Sequence, residues 1–307
     1  MKNIWFGITV CILVVIAVVY FNNNYVQAPA GSLLKPVTLP QEVSKIDNGQ
    51  IIFVKKINQN TLIQSVDTEG KAKTLFTDQD EKDKISSIGN FDAKSSRVAL
   101  IMGKSNLVII DLNTAKKDLI GNNFTFPDFV YDFETKEAAY ISFSNVEKDY
   151  GYSILVDNFG GNIREIYRTD NEIANLGYTI KGISFIEDSS SGSELKTVNP
   201  KTKAQEKVYT AKNEIIDANT SDSLIIEGLV DKKSSQLGLI QGSKIKVIYE
   251  NRKDLMSSPV KLANSEMIAF LALGEDLSEN GIIYIVDQNG KNIKKIEQGI
   301  KILGWIP

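Results

Sequence analysis

The sequence predicts an all-β repeat domain behind an apolar N-terminal segment, and three observations carry that prediction. Apolar runs of about four to six residues, rich in Ile, Val, Leu, Tyr and Phe, recur along the chain. That length and composition belong to strands, since a helical stripe needs about ten or more residues at a period near 3.6. The runs also come in groups, with turns near Asp67, Asp111, Asp157, Asn199, Gln241 and Asp287 spaced about 44 residues apart. Finally, no window after Phe21 carries a convincing helical stripe. Groups of short strands at a period of about 40 to 45 residues are what propeller blades produce. The expected architecture is therefore a six-bladed β-propeller with an N-terminal transmembrane helix. Three parts follow: residues 1–21 as a signal anchor, 22–48 as a tether, and 49–307 as the propeller, closed by its C-terminal strand.

The anchor rests on the uncharged stretch from Ile4 to Phe21. At 1.5 Å per residue it spans about 27 Å, close to the hydrocarbon thickness of a bilayer. Lys2 and the amino terminus precede it, so the positive-inside rule leaves the propeller on the extracytoplasmic side. A cleaved signal peptide is the competing reading. Its small-residue site, Ala28-Pro29-Ala30, lies well beyond an apolar run that is long for such a leader. Cys11 sits among Val10, Ile12 and Leu13, the wrong setting for a lipid-modified processing site. Pro29, Pro36 and Pro40 in a polar, aperiodic stretch give the tether.

Each propeller unit opens on a run such as Ile51–Val54, Val98–Ile101 or Ile268–Leu271 and continues with one such as Leu62–Val66, Leu107–Ile110 or Ile282–Val286. A third run, as in Lys73-Thr74-Leu75-Phe76, closes the unit. The first unit begins directly at its second strand, near Gln50, while the chain ends in Ile302-Leu303-Gly304-Trp305-Ile306-Pro307, a first strand without a unit of its own. The two halves are expected to complete one blade and so leave the ring no open edge.

These residues resemble the TolB-type propeller repeat. The last unit carries the resemblance best, in Ile268-Ala269-Phe270 followed by Ile283-Tyr284-Ile285-Val286-Asp287. Worn forms of its first turn stand at Phe91-Asp92-Ala93-Lys94 and Tyr131-Asp132-Phe133-Glu134. The fourth unit, around Gly177 to Val198, lacks that turn, which leaves the completeness of its blade open. Such propellers commonly engage proteins on one face, so the resemblance implies a protein partner, placed by the export signal in the cell envelope.

Composition narrows the chemistry. Histidine is absent, which removes Ser-His-Asp triads and His-based zinc sites. The single cysteine, Cys11, leaves the propeller without thiols. A net charge of −3 with no Lys/Arg block gives no nucleic-acid footprint. Asp157-Asn158-Phe159-Gly160 and Asp287-Gln288-Asn289-Gly290 look superficially like calcium loops, but they lack the terminal Glu and stand where hairpins must turn. The acidic cluster Asp78, Asp80, Glu81 and Asp83 is interleaved with Lys82 and Lys84 and reads as a solvated loop. No nucleophile elbow or phosphate-binding glycine loop occurs.

No cofactor and no resident metal are expected, and no catalytic residue stands out. Propeller order places the connection holding Asp80, Glu81 and Asp83, that holding Asp149 and Tyr150, and that holding Glu275 and Asp276 on one face. Function in repeat folds resides in such connections, so these seven residues are the candidate ligand-binding face. The leading expectation is a membrane-anchored, non-enzymatic protein-binding or scaffold module. The alternatives are a cell-envelope enzyme acting on glycan or peptide through carboxylate or metal chemistry, and a sensor subunit, for which residues 1–3 leave little cytoplasmic chain.

Overall fold

The computed structural model describes residues 49–78, 84–146, 150–229, 234–262, 265–273 and 280–306. They form six four-stranded antiparallel sheets. The first blade is built from β1 (Gln50–Ile57), β2 (Asn60–Val66) and β3 (Ala72–Thr77). The second holds β4 (Ile85–Asp92), β5 (Arg97–Met102), β6 (Asn106–Asp111) and β7 (Lys117–Gly121). The third holds β8 (Phe129–Asp132), β9 (Glu137–Ser144), β10 (Gly151–Asp157) and β11 (Ile163–Thr169), and the fourth β12 (Glu172–Thr179), β13 (Gly182–Ser189), β14 (Gly192–Val198) and β15 (Gln205–Thr210). The fifth holds β16 (Ile215–Asn219), β17 (Leu224–Gly228), β18 (Ser235–Gln241) and β19 (Lys244–Asn251), and the sixth β20 (Leu255–Lys261), β21 (Met267–Leu273), β22 (Gly281–Asp287) and β23 (Lys294–Gly299). The last strand, β24 (Lys301–Ile306), returns to the first blade in the order β24-β1-β2-β3.

The chain is thus a six-bladed β-propeller closed by its C-terminal strand. Ile51 pairs with Trp305 and Val54 with Lys301, joining both ends of the propeller in one sheet. The innermost strands touch in a ring, β24 to β4, β8, β12, β16, β20 and back to β24. The fourth blade, left open by the sequence, has all four strands. Its first strand carries Gly177, Tyr178 and Thr179 in place of the repeat's turn residues, and it reaches β13 through a bulge between Ala174 and Gly177.

Burial explains why these segments are strands. Each sheet is covered on both faces, so the second and third strands are nearly continuous apolar runs, as in Val98 to Met102, all at most 2% exposed. Among the described residues the core divides into six clusters, one between each pair of neighbouring blades. One of them joins Ile52, Ile63 and Phe76 of the first blade to Val98, Leu100 and Ile110 of the second. All six blades also bulge between third and fourth strands, for example at Ile63/Gln64 and Ile283/Tyr284. A bulge increases local twist, which bends each outer strand away from a flat edge open to further pairing.

Candidate binding face

In this topology the connections from second to third strand, and from each blade's last strand to the next blade's first, open on one face. Described contacts join them there. The Asn280 amide, ending the β21–β22 connection, donates to the carbonyl of Lys56 and accepts from its N–H at 2.7 and 3.0 Å, beside the β1–β2 hairpin. Asp78 opens the connection to the second blade. It is 2% exposed and accepts from the N–H of Thr61 at 2.6 Å and of Ile85 at 3.1 Å. The solvated reading of the acidic cluster is therefore wrong for Asp78, which is a structural clamp. Asp80, Glu81, Asp83, Asp149, Glu275 and Asp276 lie outside the described residues, as do residues 1–48, on which the expected anchor and tether fall.

Tyr150 is described, and it does not stand alone. Its ring meets Phe143 edge-on with centroids 5.6 Å apart, and Phe143 lies 4.7 Å from Tyr152. Phe143 is 49% exposed, Tyr150 54% and Val146 61%. The β9–β10 hairpin therefore presents an apolar cluster to solvent, the composition that anchors protein interfaces. Tyr150 was expected from the sequence and its aromatic partners were not, although the spacing of Phe143, Tyr150 and Tyr152 about a hairpin was there to be read.

Inward of the hairpin, the same face sinks into a funnel of about 500 Å³ at the mouth of the central channel, lined by Lys56, Thr61, Ser87, Asp128, Asn175 and Lys301 among others. Polar side chains on and beside the inner strands bind blade to blade. The Asn90 amide exchanges two hydrogen bonds with the backbone of Tyr131. Asp128 accepts from the Asn175 N–H at 2.9 Å, the Asn175 side chain donates to Asp217 at 2.5 Å, and Asp217 accepts from the Ser258 N–H at 2.7 Å. Lys301, on the closing strand, donates to the Ile88 carbonyl at 2.9 Å. Burial lowers the Lys301 pKa against the opposing pull of Asp217 and Asp128. Burial likewise raises that of Asp128, in spite of its two backbone N–H donors and the Lys301 charge.

A further charged cluster is buried between the third and fourth blades. Glu187, 4% exposed, accepts from the Tyr167 hydroxyl, from Thr169 at 2.8 Å, from the Asn171 amide at 2.7 Å and from Lys196 at 2.5 Å. Burial alone would raise its pKa, but the donors Asn171, Lys196, Tyr167 and Thr169 outweigh it and hold the carboxyl at about 2. Tyr167 is pushed up to about 12 by burial and by Glu187. The sequence offered one signal here, a Glu closing the apolar run Ile183–Ile186.

The opposite face carries the turns that resemble calcium loops, and their carboxylates serve the backbone. Asp287 Oδ1 accepts from the N–H groups of Asn289 and Lys291, both at 2.9 Å, in a turn completed by Gly290 at φ +74°. Asp67 repeats the arrangement with Glu69 and Lys71. Asp157 accepts from the Phe159 N–H at 2.7 Å.

No protein-family model matches this chain. No curated protein matches it. Solved structures do, and they define its class as a propeller of the TolB kind of fold. TolB from Acinetobacter baumannii superposes with a TM-score of 0.61 at 14% identity, over 84% of this chain and 67% of that one. A chain of the nidogen/laminin complex aligns at 0.56 and 10% identity, over 83% of this chain and 96% of that one. An oligogalacturonate lyase in complex with manganese aligns at 0.51 and 10% identity, over 81% and 74%. At these identities the likeness is one of fold.

Proposed function

We propose that the protein is a non-enzymatic protein-binding propeller, held to the membrane by residues 4–21 with the propeller on the extracytoplasmic side. Its partner docks on the face that carries the funnel. The exposed pair of Phe143 and Tyr150, whose rings meet edge-on, carries this reading, because aromatic residues, Tyr among them, are enriched at protein interfaces and among the residues that dominate their binding energy. The chain of the nidogen/laminin complex that shares this fold supports it, as a similar propeller found in a protein assembly.

The test is photo-crosslinking in intact cells with a photoreactive residue placed at Tyr150 and, as control, at the exposed Asn289 on the opposite face. One discrete envelope protein crosslinked from Tyr150 and not from Asn289 is expected. Phe143→Ser should weaken its capture by about tenfold or more, the effect of losing an interface anchor. Equal adducts from both positions, or none from Tyr150, would reject the chosen face. Release of product from envelope glycan or peptide by the purified protein would favour the enzyme reading instead.

A further inference from the structure

The aromatic hairpin of the third blade borders an acidic connection. Asp170 and Glu172 flank Asn171 where β11 passes to β12, on the face where the β9–β10 hairpin opens. Tyr152 pairs with Thr169, so the rings and this connection meet at the end of one ladder. Gly151 lets them approach. Its φ of +137° is a conformation that glycine adopts readily, and a Cβ there would lie 2.6 Å from the Thr169 carbonyl oxygen and 3.3 Å from Asp170 Oδ1. The Asp170 carboxylate therefore lies against the backbone between Tyr150 and Tyr152. Glu172 reaches the same rings from the other blade, and after burial its charge is the next cause that raises the pKa of the Tyr152 phenol.

Both acids are exposed, and among the described residues neither forms an ion pair. The nearby cations are engaged elsewhere, Lys196 with Glu187 and Glu194 and Arg168 with Glu165. The patch thus joins Phe143 and Tyr150, each about half exposed, to Tyr152 and to two negative charges without a counter-charge. Rings alone would accept any apolar side chain, and carboxylates alone any cation. Among the described residues no three ligating side chains converge, as a divalent ion would require. Rings and carboxylates side by side favour an organic cation. Arginine suits both, because its planar guanidinium stacks on aromatic faces and presents its N–H groups to carboxylates as a rigid fork, whereas the lysine ammonium is a compact and more strongly hydrated charge.

We propose that Phe143, Tyr150 and Tyr152, with Asp170 and Glu172, form a docking site for an arginine side chain, its guanidinium against the exposed rings and its N–H groups toward the two carboxylates. The inference rests on the protein-binding reading and names the chemistry of the partner's anchor, a segment that carries arginine. Arginine is itself among the residues that dominate binding energy at protein interfaces.

Fluorine NMR of the full-length protein in detergent, with 3-fluorotyrosine at position 150, tests the site with two small probes. N-acetylarginine amide is compared with N-acetylcitrulline amide, a neutral compound of nearly the same shape. A saturable shift is expected with the arginine compound alone, a comparison made on the unaltered side chains of the acidic connection. Its Kd should rise about fivefold in the double variant Asp170→Asn, Glu172→Gln, the effect of removing two exposed charges. No shift, an equal response to both compounds, or an unchanged Kd in the double variant overturns the proposal. The same double variant should lower the yield of the adduct crosslinked from Tyr150 in cells by a similar factor. An undiminished adduct overturns arginine recognition while keeping the docking face. An arginine-selective shift without any adduct from Tyr150 upholds the arginine site and rejects the face as the seat of a protein partner.

Discussion

Glu187 shows how much a single buried charge depends on its surroundings. Four donors converge on it, and one of them, Lys196, also bonds Glu194 at 3.0 Å. Replacing Lys196 with Met should preserve most of the side-chain volume and leave the carboxylate without a counter-charge, at a loss of about 3 kcal/mol, read by urea unfolding. The acid dependence follows from the same contacts. Glu187 titrates near 2 in the folded protein and near 4.5 when unfolded. Its contribution is therefore complete above about pH 4.5 and lost as pH falls toward 2. Unfolding followed from pH 6 to pH 2.5 should show the wild type losing more stability than Glu187→Gln over that window, and parallel curves would deny Glu187 this role. The cluster was hidden in the sequence because Tyr167, Glu187 and Lys196 stand on three separate runs, and only the pleat and the blade-to-blade stacking bring them together.

At the scale of the strand, much was legible. Two-sided burial makes second and third strands apolar throughout, so runs such as Ile51–Val54 and Ile268–Leu271 announce themselves. The closing strand was legible for a different reason: an unpaired first strand at the C-terminus answered a missing one at Gln50. First and fourth strands are harder, since they meet the channel or solvent and carry mixed residues, as β12 does in Glu172-Ile173-Ala174-Asn175. Asp78 was misread because one polar residue in a charged stretch gives no sign of two backbone N–H groups waiting for it. Closure makes a prediction of its own. Deleting Ile302 to Pro307 should strip Gln50–Phe53 of its ladder and lower Tm far more than deleting residues 1–30, which removes only the proposed anchor and part of the proposed tether. Similar melting temperatures for the two truncations would contradict a ring held by β24.

For the whole molecule, the propeller presents two unlike faces. One has apolar rings and a charged funnel, and the other a series of Asx turns whose acids are occupied with backbone N–H groups. The proposed membrane attachment belongs to this scale as well. The full chain should stay with the membrane fraction through carbonate washing and keep its original N-terminus, and a soluble product beginning at Gly31 would overturn the anchor. A mechanical consequence follows from the way the chain enters the ring. Residues before Gly49 lead into β1, which is not an edge strand but is hydrogen-bonded to β24 on one side and β2 on the other. Were residues 1–48 anchored and a partner bound as proposed, tension between them would run along β1 and load two ladders in shear. All of their hydrogen bonds share the load, whereas an edge strand would peel away one bond at a time.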